Sequence, residues 1–253
     1  MRLIASLVIA FSTYSRIPMP RVQWTDANRK YALCWFPLIG AVAGALLWLW
    51  VKLSGLINAG AFLKGAVGAL IPLIITGGIH IDGFMDTSDA MASWQPPERR
   101  LEILKDSHIG AFAAMKCAAY LLIEAALIGE LNERLALMAG AAFVLSRALS
   151  AVLSITLKQA RPGGMLDGFA SSAAGKAVYA SSAIYAALAL GLMVFINPIG
   201  AGLTALAYAL VILYYRHMAL KYFGGVTGDL AGWFLCVCEL SAFLAIYTGG
   251  VIA

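Results

Sequence analysis

Seven stretches of this chain are apolar over about the length a helix needs to cross a lipid bilayer, roughly 20 residues. They run over 33–53, 61–79, 109–129, 134–157, 176–196, 199–215 and 230–248. Few folds accommodate that pattern. Only 12% of the 253 residues are charged, about half the share that coats a soluble domain. The chain therefore reads as an all-α, polytopic integral membrane protein with about seven transmembrane helices plus short interfacial helices. Residues 1–13 are apolar but too short to span, and are expected to lie along the interface or to re-enter. They lack the cleavage pattern of a secretory signal. No repeat, linker or low-complexity tract divides residues 1–253, which read as one membrane-embedded domain.

The charges are segregated. Twelve Lys and Arg residues fall in the loops 14–30, 80–108, 158–176 and 216–228, against three (Lys52, Lys64, Arg134) in the alternate loops. Basic loops stay in the cytoplasm, which predicts a multi-pass protein of the cell (inner) membrane whose active face looks into the cytoplasm. The net charge of +5 is explained in the same way, and no nucleic-acid-binding motif accompanies it. Membrane lipid is an expected partner, and a homo-oligomer is left open. Cys34, Cys117, Cys236 and Cys238 all lie in apolar stretches without metal-binding spacing, and read as buried reduced thiols.

Most acids gather on the same face. The densest group lies in G-G-I-H-I-D-G-F-M-D-T-S-D at 77–89. If the second span continues as helix through it, Asp82, Asp86 and Asp89 stand at i, i+4 and i+7 and share one face. Three such carboxylates repel unless protons or a cation neutralise them. An oxygen-only donor set favours Mg²⁺, with Mn²⁺ as the variant, over zinc. The plain alternative is a solvated acidic face. Against it, the cluster abuts an apolar span and no Lys or Arg interrupts 79–94.

Pro96-Pro97 then opens a short amphipathic helix suited to the membrane surface, ending near Asp106, which is placed to return to the same cation. Arg16, Lys105 and Arg147 are expected to bind anions, Arg147 with the alternative of pairing with Glu124. The glycine-rich G-G-V-T-G-D at 224–229 offers backbone N–H groups to a phosphate or serves as a plain loop. His80 points away from the acids on a continuous helix, so it is a poor cation ligand.

At these residues the chain resembles the cobalamin synthase family, the adenosylcobinamide-GDP ribazoletransferases. The segment 77–89 is similar to that family's G-G-x-H-x-D-G-x-x-D-T-x-D element. L-E-I-L-K-D-S-H-I-G at 101–110 is similar to its L-E-I-[ML]-[RK]-D-S-x-x-G, and 224–229 to its G-G-x-T-G-D. Arg16 to Pro20, Phe36 to Gly40 and Ser146-Arg147 also look like family elements. Ala90 and His108 depart from the usual Gly and Arg.

The resemblance implies a Mg²⁺-dependent transferase that joins adenosylcobinamide-GDP to α-ribazole or α-ribazole 5′-phosphate and releases GMP. Its implied cation ligands are Asp82, Asp86, Asp89 and Asp106, with Asp89 or Asp106 as the catalytic base. Its implied substrate contacts are Arg16, His80, Lys105, Ser107, Arg147, Gly225, Thr227, Gly228 and Asp229. Two other readings are weighed. A lipid-type CDP-alcohol phosphotransferase needs D-x-x-D-G-x-x-A-R, whereas this chain has Asp82-Gly-Phe-Met-Asp86. An ion-coupled transporter places its acids near the midplane in repeated halves, and neither feature is seen.

Overall fold

The computed structural model describes residues 2–106 and 108–252. All its named elements are helices: α1 (Arg2–Tyr14), α2 (Asp26–Arg29), α3 (Ala32–Leu56), α4 (Ala61–Thr76), α5 (Ile79–Ala92), α6 (Pro97–Ile103), α7 (Ala111–Gly129), α8 (Glu133–Thr156), α9 (Met165–Ser172), α10 (Gly175–Ile196), α11 (Pro198–Phe223) and α12 (Gly228–Ile252). Six of them (α3, α7, α8, α10, α11 and α12) are long and apolar enough to cross a membrane, and α4 with α5 makes a seventh, broken unit. The protein is an all-α polytopic membrane protein. Its apolar side chains face outward as freely as inward, with Phe62, Leu122, Leu188 and Phe195 all exposed. Lipid is the solvent that tolerates such a surface.

The second span differs from the sequence expectation. Helix does not run on through residues 77–89. It stops at Gly77 and restarts at Gly78 after a 95° bend. Both glycines have positive φ (66° and 82°), a region closed to most side chains. Their N–H groups return to the Ile74 and Leu73 carbonyls and so close the end of α4. At 16 residues, α4 covers roughly 24 Å, and α5 then packs across α7 and α12, with Phe84 against Tyr120 and Cys236. We place α5 outside the spans.

α8 forms the centre, against α3, α10 and α12. At one end of the bundle, the Lys64 ammonium donates to the Leu131 carbonyl at 2.9 Å, so the loops after α3 and α7 lie together. The opposite end collects the segments before α3, after α4, after α8 and between α11 and α12. α1 is packed onto the bundle. Ile9, Ala10 and Phe11 are buried, its helix packs on α3, and the Ser6 hydroxyl donates to the Asn28 carbonyl. α6 is short, as expected, and is anchored by Arg100, whose guanidinium lies 4.8 Å over the Tyr222 ring at the end of α11.

Candidate active site

The acid-bearing face of α5 meets the first turn of α12 because the two backbones touch. A Cβ on Gly83 would stand 2.6 Å from the Asp229 carbonyl oxygen, so only glycine lets the helices approach this closely. Asp82 and Asp86 flank that contact on one side and Asp229 on the other. Thr227 caps α12, its Oγ1 accepting from the Leu230 N–H at 3.2 Å, with the Asp229 carboxylate 3.4 Å away. The turn before it is held by an extended strap. The Ala160 N–H donates to the Val226 carbonyl at 3.0 Å, and the Val226 N–H to the Lys158 carbonyl at 2.8 Å. Gly225 fits beneath this strap, where a Cβ would come within 2.4 Å of the Lys158 oxygen.

The strap delivers Arg161, a residue sequence reading counted only among the loop cations. Its Nη1 lies 3.6 Å from Asp229 Oδ2, its Nη2 donates to the Leu101 carbonyl in α6, and its buried Nε has no partner. No local motif marks this arginine. Its position depends on a non-local pairing of 158–160 with Val226.

A cavity of about 310 Å³ opens between these groups, with Asp82, His80, Arg161, Asp167, Thr227, Gly228 and Asp229 in its wall beside Tyr14, Phe36 and Leu166. On the other side of Asp82 lies an open groove of about 650 Å³, where Arg16 and Gly77 face Asp82. Arg16 folds over the elbow of the second span, close enough that a Cβ on Gly77 would collide with its side chain. The first and third sequence motifs thus converge, joined by Arg16 from the N-terminal segment.

Charge is concentrated here. Burial, together with the charges of Asp82, Asp229 and Asp89, pushes the Asp86 carboxyl up to about 7, with Arg161 partly opposing the rise. A cluster strained in this way suits a divalent cation, and its donors are hard oxygens. Among the described residues, no three acid, histidine or cysteine side chains already converge as one cage.

Other expected residues stand elsewhere. Asp89 is engaged structurally: its Oδ2 accepts from the Gly110 N–H at 2.6 Å and its Oδ1 from the Ala113 N–H at 2.9 Å, which caps α7. Asp106 is exposed after α6 and holds His108 Nδ1 at 2.6 Å. Those hydrogen bonds from His108 draw its carboxyl below the usual range. It lines neither the cavity nor the groove, and Lys105 beside it is also exposed. Ser107 lies outside the described residues. His80 is buried, its Nε2 unpartnered, edge-on to Phe36. Arg147 does not reach the cavity. It is wholly buried and pairs at 2.6 Å with Glu239, not with Glu124, which instead accepts a 3.4 Å contact from the Tyr120 hydroxyl.

Comparison with known proteins gives consistent matches. The family described as cobalamin-5-phosphate synthase matches residues 6–247. An adenosylcobinamide-GDP ribazoletransferase of Lachnoclostridium phytofermentans is 41% identical over 97% of this chain and 94% of its own length. Similarly named proteins of Clostridium perfringens and Azorhizobium caulinodans are 30% identical (94% of this chain, 95% of theirs) and 32% identical (97% and 96%). No solved structure matches.

Proposed function

Since the chain belongs to the cobalamin-5-phosphate synthase family, we propose that it joins adenosylcobinamide-GDP to α-ribazole, or to its 5′-phosphate, with release of GMP. It is a membrane transferase of cobalamin biosynthesis. The observation that carries the reading is the meeting of Asp82 and Asp86 with Asp229 across the α5–α12 contact, at a cavity and a groove that share Asp82.

In the proposed step a ribose hydroxyl oxygen attacks the phosphorus that carries the cobinamide ester. The P–O bond to the guanylyl phosphate breaks, and GMP leaves with that bridging oxygen. Asp82, common to the two spaces, is placed to take the hydroxyl proton. Asp86 and Asp229 would hold Mg²⁺, whose contribution when bound would be to neutralise the oxygens on which negative charge builds. Arg16 and Arg161 add fixed positive charge from the two flanks, the task for which guanidinium suits phosphate. Asp89 sets α7 against α5 through the Gly110 and Ala113 amides. The basic bias of the loops at this end of the bundle supports a cytoplasmic site in the inner membrane, where soluble substrates arrive.

The test is direct. Purified protein given Mg²⁺, adenosylcobinamide-GDP and α-ribazole should yield GMP and a cobalamin in equal amounts. Formation of GMP without the joined product would mean hydrolysis and sink the transfer. Absence of both, in protein shown to be folded, would sink the reading.

A further inference from the structure

We infer that the two reactants occupy opposite sides of Asp82: the nucleoside acceptor sits in the smaller cavity with any phosphate it carries on Arg161, and the diphosphate donor lies in the more open groove at Arg16. The inference rests on the transfer reaction proposed above and assigns its two substrates to separate places.

Size separates them first. A cavity of about 310 Å³ lies at the lower end of the range that holds small ligands, roughly 300–1,000 Å³. A nucleoside fits that space, and a corrinoid macrocycle bearing a guanosine diphosphate does not. The groove, at about 650 Å³, is open to the outside, so a long donor can lie with only its diphosphate inside.

The chemistry of the walls separates them again. One end of the cavity is apolar and aromatic. Tyr14 and Phe36 pack with ring centroids 4.4 Å apart, and Leu166 closes the side. Such a surface takes a flat, uncharged base by stacking and burial. The other end is polar, where Thr227, Asp82 and Asp229 can accept hydrogen bonds from ribose hydroxyls.

Arg161 is the one Lys or Arg among the described residues of that wall, set against three carboxylates. A cavity with this balance suits a ligand with at most one anionic group. The Arg161 side chain is 23% exposed and its Nη1 stands 3.6 Å from Asp229 Oδ2, beyond hydrogen-bond reach, so that nitrogen has a donor to offer without releasing Leu101. Asp82 belongs to both walls, so a hydroxyl presented from the cavity meets phosphorus presented from the groove, and the leaving GMP departs on the groove side.

Equilibrium binding by calorimetry on detergent-solubilised protein in EDTA tests the assignment without metal or turnover. The probes are α-ribazole, α-ribazole 5′-phosphate, GMP and inorganic pyrophosphate. Arg161→Gln should weaken α-ribazole 5′-phosphate about tenfold or more, as expected for losing a charged hydrogen bond, and leave α-ribazole and pyrophosphate within about twofold. Arg16→Gln should do the reverse, weakening GMP and pyrophosphate and sparing both ribazoles.

Because Arg161 also tethers Leu101, Arg161→Lys provides a second variant. It should retain most of the preference for the phosphorylated acceptor, which a purely structural tether would not restore. Exchanged effects, with Arg161→Gln weakening GMP or pyrophosphate and sparing the acceptor phosphate, overturn the placement. So does acceptor binding indifferent to Arg161 in both variants. A parent protein that binds pyrophosphate through Arg16 but neither ribazole overturns the transfer reaction itself, which is a different failure.

Discussion

At Arg147, a guanidinium buried between α8 and α12 makes its ion pair with Glu239 at 2.6 Å and lies over the Phe143 ring. Arg161, fourteen positions on, faces the cavity. The sequence points to the first as an anion binder, because Ser146-Arg147 looks like a family element, and passes over the second. In the structure the second reaches the cavity and the first does not. A charge within a span is costly unless paired, and Glu239 is the partner that removes that cost. Glu239→Ala should therefore act on stability: removing one side of a buried pair costs about 3–5 kcal/mol, seen as a lower thermal midpoint in detergent. The folded fraction should keep the parent's affinity for GMP. A variant of unchanged stability that no longer binds GMP would return this pair to the substrate site. Asp106 provides the complementary case, since among the described residues its exposed carboxylate accepts from the backbone N–H and holds the ring of His108.

Between α5 and α12, the site depends on a contact that leaves no room for a side chain. Gly83→Ala places a methyl carbon 2.6 Å from the Asp229 oxygen, so the helices must separate. Displacement of reacting groups by about 1 Å costs roughly a hundredfold in rate. We expect that loss in GMP release from a protein that still inserts and purifies. Parental turnover would mean that Asp229 plays no part in the chemistry. The helix carrying Asp82, Asp86 and Asp89 was expected as a continuation of the second span, and on any helix a period of 3.6 places them on one side. The break before it at Gly77-Gly78 was not foreseen, since a glycine pair permits continuation as well as many turns and the packing of α5 on α7 and α12 selects one. Asp89 shows the limit of spacing as evidence. It shares the acid face and is engaged by the amides of Gly110 and Ala113, residues on the next span whose arrival no local pattern foretells.

Over the whole molecule, the seven apolar stretches and the alternation of basic loops were readable because bilayer thickness and charge retention act on sequence directly. The pairing of distant segments, such as 158–160 with Val226, was not, since nothing in either segment names the other. The same alternation predicts the outcome of labelling in intact cells with a membrane-impermeant maleimide. Glu130→Cys, on the loop beside Lys64, should react, and Gln95→Cys, in the turn after α5, should stay at the parent's background. The opposite pattern would invert the topology. The central claim is that α5 and α12 together form the reaction centre, and initial rates of GMP release test it most directly. With saturating Mg²⁺ and both substrates, Asp82→Asn and Asp229→Asn should each fall by about a hundredfold or more, and Asp106→Asn should remain within a few fold of the parent. Near-parental rates for the first two, together with collapse of the third, would contradict the account and move the chemistry to the turn after α6.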